Sequence, residues 1–437
     1  MFGWYYGSGT IEDSTVTDVT FTDGNTNNGA IGGYSNNASA NVSNVIINNV
    51  KNEDGTPLLN HFAKIGDTYY NSLQEAIDAA KTGDTIVLLR DVTEDVVITQ
   101  QADLDLTIDG DGKTFTGTMT VFGNGRQAGA ETLTIKNVNF QAVGVQTSCI
   151  VSPDRTVNNK YSYAHNVTVD NCTFKGDATV AAEERATAAI RTEDGGDMNW
   201  TITNCTVDEN MHSFLQVQNI EGKLTIKDCE ASSKNGINLN CTTNVEMTGC
   251  TIEVEGYAVR AGVKSGGNLG EEKNYVLNNN VLKSKCDDGD AVIMLRASAV
   301  DMVVNMEENV VSGTTHISGT TGDTKVTAEN NYWDGQNQPV VSGTAVTVGT
   351  YYVDEAKTKK DRNCGVAGID HKYEAEVTAP TCTTAGYTTY ACDCGASYKD
   401  DIVEALGHDW NEGEVTTEPT CTKEGVKTFT CQNDCKL

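Results

Sequence analysis

A short pattern of alternating apolar and polar residues with an Asn-rich turn recurs eight times between residues 133 and 333. Alternation at period two is typical of short strands on either side of the turn. Aligning the copies on the residue after the turn gives the column Val138, Cys172, Cys205, Cys229, Cys250, Asn280, Asn309 and Asn331. Three residues earlier stand Ile135, Val169, Ile202, Ile226, Met247, Leu277, Met306 and Ala328, and two residues later stand Phe140, Phe174, Val207, Ala231, Ile252, Leu282, Val311 and Trp333.

The copies are 21 to 34 residues apart, so loops of different lengths join rungs of constant design. One rung cannot bury its apolar face alone, but rungs stacked about 4.8 Å apart pair each strand with its copies above and below. The residue before the column is most often Asn, which tolerates the left-handed conformation and hydrogen-bonds along a stack. The pattern therefore predicts an all-β fold, a parallel β-helix.

A helix start signal precedes this stack. Ser72 and Glu75 read as a capping box, Leu73, Ala76, Ile77 and Ala80 share one face, and Gly83 would end the helix. Such a helix would cover the open end of the first rung. We expect the β-helix domain to span 58–350, and we interpret 1–57, with rung-like segments at 16–21 and 45–50, as the tail of a preceding β-helix unit.

The C-terminal region has a different repeat. Pro380, Cys382 and Cys392 recur 39 residues later as Pro419, Cys421 and Cys431. We expect a linker over 351–370, a small β-rich Cys-containing repeat over 371–407 and a truncated second repeat over 408–437. Cys382, Cys392 and Cys394 of the first repeat, together with His408 (or His371), could bind Zn²⁺ as a Cys₃His site. The spacing is irregular for zinc, and the alternative is one disulfide plus a spare thiol per repeat.

The chain is strongly acidic, with a formal charge of −30. This charge would repel phosphate backbones, so we expect no nucleic-acid partner. No apolar stretch is long enough for a transmembrane segment. The first ten residues have no signal-peptide pattern, and the sequence stops inside a repeat, so we expect an internal fragment of a longer protein.

The segment 70–86, the Asn-rich rungs and the Asn-Asn-Tyr-Trp sequence at 330–333 resemble right-handed parallel β-helix proteins of the pectin-lyase-like superfamily. That superfamily includes polysaccharide lyases, glycosidases and surface adhesins. The units at 371–437 resemble tandem repeats of Gram-positive (clostridial) surface proteins. The two resemblances imply a right-handed β-helix in an extracellular, cell-wall-associated, adhesin-like protein.

A strip of outward polar residues is the main candidate site. Taking Ile190, Val217, Leu239, Val259, Leu295 and Ile317 as inward residues of a further strand places the next residues outward, namely Arg191, Gln218, Asn240, Arg260, Arg296 and Ser318. Arg binds carboxylates with a planar fork, so the strip could bind an acidic polysaccharide. In a lyase, Arg191, Arg260 or Arg296 could act as catalytic base. The alternative is a solvated face whose Arg residues pair with nearby acids.

Two acidic segments are further candidates for a metal site or for catalysis. Glu193, Asp194 and Asp197 follow Arg191 and could hold Ca²⁺. The acidic segment 286–290 offers paired carboxylates, but the companion motifs of polygalacturonases are not found. His316 is isolated and directly precedes the inward Ile317, so we expect it to lie on the surface. We expect the column cysteines to be buried thiols, with disulfides between rungs as the alternative.

We expect a cell-surface protein that binds glycans or a host surface; the alternative is a polysaccharide lyase or glycoside hydrolase.

Overall fold

The computed structural model of the chain describes residues 9–12, 15–17, 40–43, 46–48, 61–99, 104–122, 132–145, 148–153, 156–157, 160–161, 166–185, 187–192, 199–218, 220, 222–240, 242, 244–262, 273–285, 291–296, 302–319, 324–362, 373–392 and 395–433. Within these residues the fold is a right-handed parallel β-helix whose rungs each contribute one strand to three long sheets. The prediction of an all-β solenoid is confirmed.

The three sheets run the length of the stack. Sheet 1 contains Ala63–Ile65, Thr68–Tyr70, Asp84–Leu88, Leu106–Asp109, Thr132–Lys136, Asn166–Asp170, Trp200–Thr203, Lys223–Lys227, Asn244–Thr248, Lys273–Asn278, Met302–Glu307, Thr324–Glu329 and Val346–Val348. Sheet 2 contains Val92–Thr93, Thr114–Thr116, Asn139–Gln141, Thr173–Lys175, Thr206–Val207, Glu230–Ala231, Thr251–Val254, Val281–Ser284, Val310–Ser312, Asn331–Trp333, Thr350–Tyr352, Lys359–Arg362, Glu374–Thr378, Gly386–Ala391 and Ser397–Val403. Sheet 3 contains Val96–Thr99, Met119–Phe122, Ile150–Ser152, Ala188–Thr192, Ser213–Gln218, Asn235–Asn240, Val259–Gly262, Ile293–Arg296, Ile317–Gly319 and Val341–Ser342.

The register of sheets 1 and 2 follows the repeat columns. Ile135 pairs with Ile108 and Val169, and Phe140 pairs with Phe115 and Phe174. The same registers continue through all eight copies of the pattern. These inward residues form one continuous core, in which the Phe140 and Phe174 rings stack 4.9 Å apart. Like residues stack because each rung repeats the pattern of the rung below it.

The turn between sheets 1 and 2 uses the left-handed backbone conformation in every copy. The residues with positive φ are Asn137, Asn171, Asn204, Asp228, Gly249, Asn279, Glu308 and Asn330. Asn and Gly adopt this conformation most readily. Asn171 also donates from its amide to Asn137 Oδ1 at 2.7 Å, so the turn side chains hydrogen-bond along the stack. The turn and its residue preference are therefore as predicted.

A short helix, Leu73–Ala79, lies over the first rung. The Ser72 side chain accepts from the Glu75 N–H at 3.0 Å, and Leu73, Ala76 and Ile77 are buried. Gln74 completes the cover, since its amide oxygen accepts from the Val97 N–H at 2.7 Å and its amide nitrogen donates to Val97 O at 3.0 Å. The side chain thus replaces a neighbouring strand at this exposed edge. The helix ends before Gly83, which instead has φ +84° in the following turn.

The antiparallel strands lie at the two ends of the stack or outside it. Ala63–Ile65 and Thr68–Tyr70 form a hairpin on the first strand of sheet 1. Beyond Thr350–Tyr352, sheet 2 continues in antiparallel order through the strand Lys359–Arg362 and the strands of the first C-terminal repeat. Residues 350–362 therefore contain two paired strands within or beside the predicted linker. The remaining antiparallel pairs are Thr156–Val157 with Lys160–Tyr161 and Glu414–Thr417 with Val426–Thr428.

Before residue 61 the structure describes four strands. Gly9–Glu12 pairs with Ala40–Ser43, and Thr15–Thr17 pairs with Ile46–Asn48. Both pairs are parallel, as rungs of a β-helix are. The assignment of 1–57 to a preceding unit, like the other domain boundaries, stays a prediction.

Candidate functional site

The outer face of sheet 3 carries a ladder of polar side chains. Arg191 pairs in register with Gln216, Gln216 with Asn238, and Asn238 with Arg260. Three rung steps separate Arg191 from Arg260, which is about 14 Å at the usual spacing between strands. We call Arg191, Gln216, Asn238 and Arg260 the polar ladder. All four residues are partly exposed. Met294 and Ser318 continue the same register beyond Arg260.

The register differs from the predicted strip by two residues in three of its rungs. Gln218 and Asn240 pair with each other, and they continue through Gly262 to Arg296. These residues form a second, parallel ladder that lies two positions further along each strand. Side chains two residues apart share a face, so all the predicted residues still lie on the outer side of sheet 3. The prediction that they stack in one line was wrong.

A feature of the sequence marks the correct register. In the sheet 3 strands from Ile150–Ser152 to Ile317–Gly319, the first inward residue follows another buried residue at the corner from sheet 2. The clearest examples are Ala189-Ile190, Phe214-Leu215, Ala258-Val259 and Val292-Ile293. Aligning on this pair, instead of on the later Val217, Leu239 and Leu295, would have identified Gln216 and Asn238. Alternation alone cannot do so, because a shift by two residues leaves every side chain on its own face.

A groove lies at one end of the polar ladder. It has a volume of about 570 Å³ and is lined by Thr93, Glu94, Asp95, Thr116, Gly117, Thr118, Val143, Ser148, Val151 and Arg191. Two acidic side chains line it, but both also bind main chain: Glu94 accepts from the Leu73 N–H at 2.7 Å and Asp95 from the Thr118 N–H at 2.8 Å. These bonds fix the carboxylates in place. The groove therefore brings the Arg191 guanidinium together with the carboxylates of Glu94 and Asp95, whose positions are fixed.

At the other end of the ladder, the Arg260 guanidinium carbon lies 5.7 Å from the centre of the Tyr257 ring. This is within the range of a cation–π contact, which orients the guanidinium while leaving its N–H groups available. Arg296 is exposed in the second ladder. The three arginines of the prediction are therefore spread over two ladders and do not form one cluster.

The candidate calcium ligands Glu193, Asp194 and Asp197 lie outside the described residues, as do Cys394, His371 and the acidic segment 286–290. Among the described cysteines and histidines of the C-terminal repeats, Cys382 and His408 lie together, and the third member of the cluster is Cys431. Cys431 belongs to the second repeat and was not in the predicted set. Cys392, which was in that set, is not a member.

The column cysteines are reduced and buried. Cys172, Cys205, Cys229 and Cys250 are free thiols between sheets 1 and 2, and Cys149 is a further buried thiol. The hydrogen bond with Cys205 and burial raise the pKa of Cys229 to about 12. The hydrogen bond with Cys229, with burial, raises the pKa of Cys250 further. Buried thiols that stay protonated are poor nucleophiles, so this column is structural.

His316 is buried, although the sequence favoured a surface position. It occupies the corner before Ile317, where the alternation of the strand has not yet begun. Its Nδ1 accepts from the Val340 N–H at 2.8 Å, and its Nε2 lies 3.3 Å from the Asp334 carboxylate. Burial holds the pKa of His316 below its ordinary value, although Asp334 acts in the opposite direction. His316 therefore packs as a neutral corner residue beside Trp333.

No family model matches the chain, and no curated protein is detectably similar to it. No helix in the described ranges has the length and apolarity needed to cross a membrane.

Proposed function

We propose that the chain binds an extended acidic glycan along the outer face of sheet 3, in an extracellular protein of the cell surface. The observation that carries the proposal is the polar ladder, in which Arg191, Gln216, Asn238 and Arg260 follow one another in register away from an open groove. A linear polymer presents its polar groups repeatedly along one direction, and a stack of strands does the same.

The chemistry of the ladder suits such a ligand. Each Arg can bind a carboxylate with two parallel N–H bonds, and the amides between them both donate and accept, as sugar hydroxyl groups require. A chain of formal charge −30 repels a polyanion in general. Binding would therefore depend on these local cations and weaken as salt screens them.

The cellular setting is part of the proposal. The described rungs and the Asn-rich turns support the likeness to pectin-lyase-like β-helix proteins, and the 39-residue repeats support the likeness to Gram-positive surface proteins. Both likenesses favour a secreted, wall-associated, adhesin-like protein that binds host or plant glycans.

The groove at Arg191 favours one second candidate, a polysaccharide lyase or glycosidase. It places Glu94 and Asp95 in the same cavity as a cation, and acid–base cleavage of a glycan needs carboxylates or an Arg near the scissile bond. Because both acids already accept main-chain hydrogen bonds, binding is the better supported of the two functions.

Retention on immobilised polygalacturonate and on a panel of host glycans tests the proposal. We expect the unsubstituted chain to bind one acidic glycan, and Arg191→Ala or Arg260→Ala to weaken that affinity roughly tenfold, the usual cost of a charge-assisted hydrogen bond. The matched control is Lys227→Ala, which removes an exposed cation from sheet 1 and should leave binding unchanged. Equal losses in all three variants would mean that only net charge matters. Release of unsaturated, ultraviolet-absorbing products in the presence of Ca²⁺ would favour the lyase.

A further inference from the structure

Three ligand-bearing side chains from the two C-terminal repeats converge at one point. The Cys382 sulfur, a His408 ring nitrogen and the Cys431 sulfur all lie within 4.8 Å of one another. The two sulfur atoms are 3.7 Å apart. Two thiolates bound to a tetrahedral Zn²⁺ at about 2.3 Å lie about 3.8 Å from each other. The sulfur separation therefore already matches the edge of a zinc tetrahedron.

Main-chain hydrogen bonds hold the three segments in this position. Gly407 donates to Cys382 O at 3.1 Å, which fixes the residue before His408 against the first cysteine. Gly407 has φ +69°, and its left-handed turn sets the direction of the chain at His408. Trp410 forms a β-bridge with Cys431. The scaffold thus brings the ligands together without relying on their side chains.

The repeats also lack a core that could hold them together. Val377 is 75% exposed, Trp410 49% and Phe429 50%. Every described residue from 414 to 430 is exposed. A unit this small, with so little apolar burial, usually needs a disulfide or a structural metal for stability. A disulfide at Cys382, or a metal once that disulfide is reduced, is therefore expected on energetic grounds.

We propose that Cys382, His408 and Cys431 bind a structural Zn²⁺ that joins the first C-terminal repeat to the second. The ligand set differs from one confined to a single repeat, since the second cysteine comes from the next unit and Cys392 is not included.

Zinc binding at this site requires the reduced protein. In the structure Cys382 is disulfide-bonded, and its partner is none of the other described cysteines, which are reduced. A dithiol or phosphine reductant would supply two electrons to break that bond, and two protons from water would complete two thiols. Each thiol that binds Zn²⁺ then gives its proton to solvent.

Metal analysis of the full chain tests this proposal. After reduction and incubation with ZnCl₂, we expect one Zn²⁺ per chain, and Cys431→Ser or Cys382→Ser should weaken binding roughly 100-fold or more. The matched control is Cys421→Ser, which removes an exposed thiol of the same repeat that is not in the cluster. Unreduced protein should bind no zinc at this site. No zinc in the reduced protein, or equal zinc in Cys431→Ser, would overturn the proposal.

Cobalt substitution guards against variants that only unfold. Co²⁺ bound by thiolates in a tetrahedral site gives an ultraviolet charge-transfer band and intense visible bands. We expect both in the unsubstituted reduced chain and in Cys392→Ser, and a changed visible spectrum in His408→Cys, which replaces a nitrogen ligand by sulfur. Loss of the bands in Cys392→Ser, with retention in Cys431→Ser, would contradict the ligand set.

Discussion

The buried column at the turn between sheets 1 and 2 changes its chemistry along the stack. After Val138 it has a thiol part, made of Cys172, Cys205, Cys229 and Cys250, and then an amide part, made of Asn280, Asn309 and Asn331. In both parts the side chain approaches the same carbonyl of the preceding rung. Cys205 Sγ lies 3.7 Å from Val169 O, and Asn309 Nδ2 lies 2.7 Å from Leu277 O.

The two parts differ in the hydrogen bonds that the column side chain accepts. Asn309 Oδ1 accepts from the Asn280 main-chain N–H at 2.9 Å and from its side-chain amide at 3.0 Å. In the thiol part, the Cys205 N–H points at Cys229 Sγ at 3.5 Å, and sulfur is a weak acceptor. The backbone is the same in both parts because the left-handed turn residue sets it. The column side chain decides whether stability comes from an amide network or from apolar packing.

The largest expected effect is in the amide part. Asn309→Ala removes the acceptor of the Asn280 main-chain N–H and of one Asn280 amide hydrogen, and it removes a donor to the Leu277 carbonyl. Because these groups are buried, we expect a loss of about 3 kcal/mol or more in the free energy of unfolding. Denaturant titration followed by circular dichroism measures it. The matched control is Asn199→Ala, an exposed asparagine that also bonds between rungs. If the two variants lost the same stability, the buried network would have no special role.

Acid should weaken the end of the stack where the amide part terminates. Burial lowers the pKa of His316 in the folded protein, while the unfolded chain takes up a proton near pH 6.5. The contribution of His316 to the free energy of unfolding is therefore complete above about pH 6.5. At lower pH it decreases by up to about 1.4 kcal/mol per pH unit. Melting temperatures between pH 7.5 and 5.5 measure this slope.

His316→Gln should show a shallower slope over the same pH range. His61 and His212 also have lowered pKa values in the folded state, each mainly through burial, so some slope should remain. An unchanged slope in the variant would mean that His316 is protonated without cost in the folded protein.

The thiol part should respond less to truncation. Cys205→Ala removes one sulfur atom from a packed site and leaves no strong hydrogen bond unmade, so we expect a loss of about 1 to 2 kcal/mol. The same denaturant titration applies. A loss as large as that of Asn309→Ala would show that the sulfur hydrogen bonds act as a network.

The smallest effect is expected for chemical labelling of the column thiols in the native protein. Cys205, Cys229 and Cys250 are buried, and their pKa values are raised by neighbouring thiols and by burial. A thiol-labelling reagent should therefore modify the exposed Cys421 and leave the column unmodified in the native protein. Fast modification of a column cysteine, identified by mass spectrometry, would show that this part of the stack opens locally.

The repeat columns were predictable because their positions are local and recur eight times. Fixed offsets around Cys172 or Asn309 identify the strands of sheets 1 and 2 without any tertiary information. The turn residues add a conformational reason, since Asn171 and its counterparts have positive φ.

The polar ladder was only partly predictable. A loop of variable length separates sheet 3 from the column, and a two-residue shift keeps the apolar pattern intact, so Gln216 and Asn238 were missed. His316 was misplaced because a corner does not follow the alternation of a strand. Cys431 was missed because the contact between the C-terminal repeats is tertiary, and no spacing within one repeat records it.

The most direct test of the proposed function compares the two ladders. The affinity for an acidic glycan is measured for Arg260→Ala, which removes a member of the polar ladder, and for Arg296→Ala, which removes an exposed arginine of the second ladder. Both variants change the charge equally. The account predicts a roughly tenfold loss for Arg260→Ala and a loss of less than about twofold for Arg296→Ala. Equal losses, or a larger loss for Arg296→Ala, would contradict binding along the polar ladder.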